Sequence, residues 1–222
     1  MKEGNTHLIK SGETLEQIAE RYYGDPSLAK ALAEYNQLDP LQPLKPGTTL
    51  LIPFDRSEIE KIKFSQDAIV MYNRGTVLAS NGEYEEAAKY LEDATKLSPS
   101  FTDAWYNLAL VYAKLERFEE SLPILRSLIS NYTKEKTYHY SVGAVWRQMG
   151  MLEEALKEFK IALSIDRNYK EAQFATAMTL QELGRYEEAL EEWERYLRLD
   201  KDSVWADEAR ANIDKIEKIR SR

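Results

Sequence analysis

Asn81-Gly82-Glu83-Tyr84-Glu85-Glu86-Ala87 returns three more times in altered form. The later copies are Leu115-Glu116-Arg117-Phe118-Glu119-Glu120-Ser121, Met149-Gly150-Met151-Leu152-Glu153-Glu154-Ala155 and Leu183-Gly184-Arg185-Tyr186-Glu187-Glu188-Ala189. The aromatic or leucine of each copy stands at 84, 118, 152 and 186, a constant step of 34 residues. A fixed period of this length marks a repeat architecture, in which each unit buries its apolar face only against its neighbours.

Counted from Ala68, the repeats run 68–101, 102–135, 136–169 and 170–203. Each reads as two helices joined by a short turn. Gly82, Gly150 and Gly184 tolerate left-handed backbone at that turn, and Glu116 breaks the series. The eighth place is small (Gly75, Ala109, Gly143, Ala177), as is the twentieth (Ala87, Ser121, Ala155, Ala189), so the two helices can approach closely. Bulky residues fill the space between: Leu78, Tyr112, Trp146 and Leu180 in the first helices, and Leu91, Leu125, Phe159 and Trp193 in the second. The Glu-Glu pairs at 85–86, 119–120, 153–154 and 187–188 begin the second helices, where negative charge complements the helix dipole. Catalytic carboxylate pairs do not come in four copies. Pro123 is expected in the first turn of its helix, where a missing donor costs little. Beyond Ser203, the residues Trp205, Ala209, Ile213, Ile216 and Ile219 predict a terminal helix with one apolar stripe covering the last repeat.

The 222 residues carry 38 acidic and 30 basic side chains, a formal charge of −8. No basic block is present, which argues against nucleic acid or an anionic membrane as the main partner. The absence of cysteine excludes disulfides, thiol catalysis and cysteine-bound zinc. The two histidines, His7 and His139, are far apart, and no metal motif or Ser-His constellation is visible; His139 reads as a packing residue. No cofactor, metal site or catalytic residue is expected. No apolar run reaches the length of a membrane span. The start lacks a signal peptide, so the chain is either cytoplasmic or preceded in its native form by an export signal that is removed.

Ahead of the repeats, residues 6–10 predict a strand, and Ser11-Gly12-Glu13 a turn. Thr14 caps a first helix, with Gln17 completing a capping box, and Tyr22-Tyr23-Gly24 ends it. Asp25-Pro26 starts a second helix. Asn36 opens an irregular stretch with Pro40, Pro43 and Pro46, and residues 48–52 form a closing strand. Residues 55–67 contain Ile59 and Ile62 at helical spacing and predict a short helical linker.

Two family resemblances follow. Ile9-Lys10-Ser11-Gly12-Glu13-Thr14-Leu15, Ile18-Ala19, Tyr23-Gly24-Asp25, Asn36 and Lys45-Pro46-Gly47 through Ile52-Pro53 resemble a LysM module, with Glu13 where the family usually has Asp. Trp105, Leu108, Ala109, Tyr112, Ser121, Leu125 and Leu128, repeated in phase, resemble the tetratricopeptide repeat. The resemblances imply a mostly α fold: a right-handed α-solenoid of four helix hairpins with a capping helix (204–221), preceded by a small βααβ module. The domains are then 1–54, the linker 55–67, and the repeats and cap over 68–222. The LysM resemblance implies binding of an N-acetylglucosamine-containing glycan, peptidoglycan or chitin-like. The groove would hold Gly12, Glu13, Thr14 and Leu15 on one side and Asn36, Leu38, Leu41 and Leu44 on the other. Turn, helix-stop and core roles are the plain alternatives for these residues. The repeat resemblance implies an unidentified protein partner on the first-helix face, with Tyr72, Tyr106, Tyr140 and Phe174 as an aromatic ladder beside Asn107, Lys114 and Arg147. Packing between neighbouring repeats is the alternative for the ladder. The expected function is a non-enzymatic adaptor of the cell envelope or periplasm; the alternative is a cytoplasmic protein-interaction scaffold whose front module does not bind sugar.

Overall fold

The structure is a computed structural model and describes residues 4–221. Its packing divides into two compact units, one ending at Ala104 and the other running from Trp105.

The first unit opens with strand β1 (Gly4–Leu8), which starts two residues before its expected place. It pairs antiparallel with β2 (Thr49–Pro53), His7 facing Leu50 in the register. Between them lies helix α1 (Leu15–Tyr23), whose Thr14 cap and Gln17 form the anticipated reciprocal box; Gly24 closes the helix at φ 67°. Asp25 then accepts from the Ser27 N–H, but Pro26–Leu28 form a single 3-10 turn, and helix α2 (Ala29–Tyr35) begins only after it. Ile9, Leu15, Ile18, Leu28, Leu32, Leu50 and Ile52 fill the module's core.

The expected short linker is the first half of something longer. Helix α3 runs without interruption from Arg56 to Ser80, capped by Asp55. Its Ile59 is fully buried among the front module's core residues, and Ile62 packs beside it. Arg56 donates to the Tyr23 carbonyl at 2.6 Å, Tyr35 donates to Glu58 at 3.3 Å, and the Gln66 amide meets Glu34. The far half of α3 forms the first hairpin with α4 (Tyr84–Leu97). Gly75 is required at this crossing, because a Cβ there would lie 2.7 Å from Leu91 Cγ.

The second unit repeats the hairpin: α5 (Thr102–Lys114) with α6 (Phe118–Asn131), α7 (Lys136–Gln148) with α8 (Leu152–Ile165), and α9 (Lys170–Glu182) with α10 (Tyr186–Leu199). Ser121 donates to the Ala109 carbonyl at 2.8 Å, joining the two small places in one hairpin. Trp193 is fully buried in the last hairpin, and its indole N–H donates to Gln181 at 3.2 Å. Glu116 takes the left-handed conformation (φ 58°) that glycine occupies in the other three turns.

Two expectations need correction. Pro123 sits at the sixth residue of α6, in the second turn, so the Glu119 carbonyl loses its intrahelical donor; Glu119 is exposed, which leaves that carbonyl to water. In the terminal helix α11 (Val204–Arg220), Ala209 and Ile216 are buried, but Trp205 and Ile219 at the ends of the stripe are 57% and 44% exposed. Among the described residues no helix is long and apolar enough to cross a membrane.

Candidate functional site

The turn before α1 is built around Glu13. One carboxylate oxygen accepts from the Lys10 N–H at 2.8 Å and from His7 Nε2 at 2.9 Å; the other accepts from Arg21 at 2.7 Å. The contact to the carboxylate puts a proton on His7 Nε2, and in the neutral ring Nδ1 then accepts from the Tyr22 hydroxyl at 3.1 Å. These bonds, led by the Lys10 N–H and followed by His7 and Arg21, hold the Glu13 carboxyl down at about 2. Gly12, at φ 80°, has no atom within 4 Å of the Cβ it lacks, so the turn is open to approach.

Asn36 is likewise engaged. Its amide donates to the Leu32 carbonyl at 2.9 Å and the Leu51 carbonyl at 3.0 Å, and its oxygen accepts from the Leu51 N–H at 2.7 Å. It ties the end of α2 to the middle of β2. Glu13 and Asn36 therefore hold the module together and do not present free polar groups to a groove.

Two recesses flank the loop between α2 and β2. One, of about 350 Å³, lies between the start of α1 and the loop and is lined by Leu15, Glu16, Ala29, Lys30, Asp39, Pro40 and Leu41. The other, of about 630 Å³, is lined by Leu38, Pro43, Leu44 and Pro46 together with Ile9 and Thr48. Of the eight anticipated groove residues, the structure brings Leu15 together with Leu41, and Leu38 together with Leu44. Gly12 and Thr14 stay on the adjoining turn, the Thr14 hydroxyl accepting from the Gln17 N–H at 3.3 Å. Lys30 and Asp39 are lining residues that sequence reasoning missed. The loop's prolines marked an irregular segment, but not which helix faced it.

In the repeats, the ladder aromatics are half-buried. Tyr72 packs on Phe101, with ring centroids 4.9 Å apart. Tyr106 packs on Tyr138, and its hydroxyl meets Ser141 of the next repeat at 2.9 Å. Tyr140 lies between Phe159 and Tyr169 and is partly desolvated, which raises its pKa. Phe174 is enclosed by Trp193, Tyr196 and Trp205. Arg147 forms a two-pronged pair with Glu182 of the following repeat. Asn107 is half-buried and Lys114 exposed. Much of each ring's surface thus serves packing.

His139 is buried, and its Nδ1 lies 2.8 Å from a Glu158 oxygen. Gln173 and Glu192, each 34 residues further on, repeat this cross-hairpin contact. The period carries these polar pairs, and it is the signal by which they could have been found.

Comparison with known proteins fits this geometry. A model of the LysM domain matches residues 7–53, and models of the tetratricopeptide repeat match residues 72–136 and 170–203. The chain is a LysM domain followed by tetratricopeptide repeats. Photosystem I assembly protein Ycf3 of Sorghum bicolor is 33% identical over 97 residues, 43% of this chain and 50% of that protein. Uncharacterized protein MJ0572 of Methanocaldococcus jannaschii is 38% identical over 50 residues, 22% of this chain and 58% of that protein. The chain spans about half the length of the curated relatives it matches. Among solved structures, YrrB, described as a TPR protein with an unusual peptide-binding site, superposes with a TM-score of 0.60 at 21% identity, covering 90% of this chain and 100% of its own. At that identity the likeness speaks for the fold alone. The LysM domain and the repeats together have the build of a protein-interaction adaptor.

Proposed function

We propose that this protein is a non-enzymatic adaptor of the cell envelope. Its LysM domain binds an N-acetylglucosamine-containing glycan, peptidoglycan in the first instance, and the first-helix face of its repeats binds a protein partner. The observation that carries the glycan half is the recess between α1 and the α2–β2 loop. Leu41 stands at its rim 90% exposed, beside buried Leu15. A leucine held out at the edge of a concave surface gives the fold little and suits an apolar ligand face. Leu15 and Leu41 would meet the acetamide methyl and the sugar ring, with Leu38 and Leu44 extending the surface behind the loop. Lys30, Asp39 and Glu16 supply polar partners for hydroxyls, and the open turn at Gly12 and Thr14 allows close approach. The protein-binding half is supported by the repeat architecture. Within the second unit the exposed edges of Tyr106 and Tyr140, with Asn107 and Lys114, would contact the partner. Arg147 and Phe174 would act through packing.

Co-sedimentation of the full chain with purified peptidoglycan tests the glycan half. The parent protein pellets with the wall material, and Leu41→Asp reduces the pelleted fraction at least ~10-fold while the melting temperature is unchanged, because Leu41 is outside the core. If the parent stays in the supernatant, and soluble chito-oligosaccharide leaves its amide spectrum unmoved, the sugar-binding half is lost. The alternative of a cytoplasmic scaffold then replaces it.

A further inference from the structure

Helix α3 carries one stripe of residues at the helical period: Ile59, Ile62, Gln66, Val70, Asn73 and Val77. The LysM domain covers its first half, where Ile59 is buried and Ile62 packs beside it. Beyond that cover, Val70 and Val77 stand 55% and 53% exposed, with exposed Arg74 between them. The 34-residue period shows what these three places do inside the array. In the third repeat they hold Tyr138, Val142 and Val145, all buried in one cluster with Leu122, Leu125 and Leu128 of the repeat before. In the fourth they hold Ala172, Thr176 and Thr179, also buried. The exposed side of α3 is therefore a stacking face that the LysM domain leaves bare.

Helix α11 presents a matching surface. Ala209 and Ile216 hold it to the last hairpin, and its other side turns outward. There Val204 is 82% exposed, Ala211 is exposed, and exposed Asp207 and Glu208 lie between them. Val70 and Val77 on α3, like Val204 and Ala211 on α11, are seven residues apart, about two helical turns. The charge between them is basic on α3 and acidic on α11. The ion pair of Asp207 with Arg210, at 2.7 Å, is solvent-exposed and contributes little, so it is readily exchanged. A recess of about 420 Å³, lined by Ala211, Asp214, Lys215, Lys218 and Ile219, continues the outward side of α11.

We infer that α3 of one copy of this chain docks on α11 of a second copy, joining the repeat arrays head to tail. Val70 and Val77 then cover Val204 and Ala211, and Arg74 faces Asp207. A parallel run of the two helices also brings exposed Glu83 and Glu85, just past the end of α3, towards Lys215 and Lys218 in the recess. An antiparallel run would set Lys63 against Lys218 and Asp67 against Asp214, so charge selects the parallel one. Charge also opposes the pairing of α3 with itself, because matching Val70 to Val77 in that pair sets Arg74 against Arg74. A contact of two helices lies at the small end of interface sizes, so the association is reversible, with a Kd of roughly 10–1,000 μM. This inference does not rest on the glycan or groove readings.

Sedimentation velocity of the full chain is the test. The weight-average sedimentation coefficient of the parent rises between ~10 μM and ~1 mM. Val70→Glu with Val77→Glu stays monomeric over that range with an unchanged melting temperature, since both residues lie outside the core. Arg74→Glu and Asp207→Arg, each alone, weaken association at least ~10-fold by placing like charges together. The two changes in one chain restore it to within ~3-fold of the parent, a recovery that a damaged fold cannot give. Any of three results overturns the inference. The first is a parent that stays monomeric at millimolar concentration. The second is association of Asp207→Arg equal to the parent's, which would assign the α3 face to another occupant. The third is a double exchange that recovers nothing.

Discussion

Glu13 shows what a single side chain does for the front module. Three donors converge on its carboxylate, and its pKa falls from 4.5 to about 2. Because the folded value lies below the unfolded one, the stabilisation is complete above about pH 4.5 and is lost as the pH falls through 4.5 towards 2. Glu13→Gln is therefore less stable than the parent at neutral pH, and the gap closes across that acid window. Urea unfolding of both proteins from pH 7 to pH 2 measures it; a gap that stays constant throughout would mean the charge is not what matters. The same residue illustrates the limit of reading a motif. In the sequence, Glu13 and Asn36 stand among the residues expected to line the groove. Whether the Asn36 amide faces a ligand or the backbone of Leu51, 15 residues on, is decided only by the folded chain. Leu15, Leu38, Leu41 and Leu44 were legible as groove candidates only through the family resemblance, since apolar residues at these places serve a small core equally well.

At the scale of the helix, a strict period fixes both ends of an element. The first helices of the last three repeats begin at 102, 136 and 170 and end at 114, 148 and 182, and the second helices keep the same step. This much was legible because each repeat must meet the next in the same way. What the period does not report is how far each contact is filled. A Cβ on Gly143 would lie 2.6 Å from Phe159 Cε1, inside any tolerable contact with a rigid ring. Gly143→Ala therefore destabilises the protein by up to about 2 kcal/mol, the overpacking penalty less the helix-propensity gain of alanine over glycine. Urea denaturation measures this, and a stabilised variant would show that the two helices can slide apart. Pro123 was misplaced for a related reason. Its helix starts at Phe118, as the period demands, which puts the proline one turn deeper than its rarity inside helices suggested.

For the molecule as a whole, the element that sequence reasoning most underrated is α3. Residues 55–67 carried a helical stripe, so a helix was legible; its partner was not, because spacing alone cannot say which core an isoleucine joins. Ile59 completes the core of the LysM domain from a helix that also builds the first repeat. Ile59→Ala removes a fully buried side chain and costs about 2–5 kcal/mol. Amide hydrogen exchange then shows lost protection in β2 and α1 as well as in the first half of α3; loss confined to α3 would mean the domain is complete without it. A LysM fragment cut before Ile59 would accordingly expose a hole in its own interior. There is a mechanical corollary. Residues 56–80 make a rod of roughly 37 Å at 1.5 Å per residue, with one end keyed into the LysM domain and the other into a helix hairpin. Tension applied at the LysM domain would reach that hairpin along an unbroken column of backbone hydrogen bonds, without the slack of a swivel.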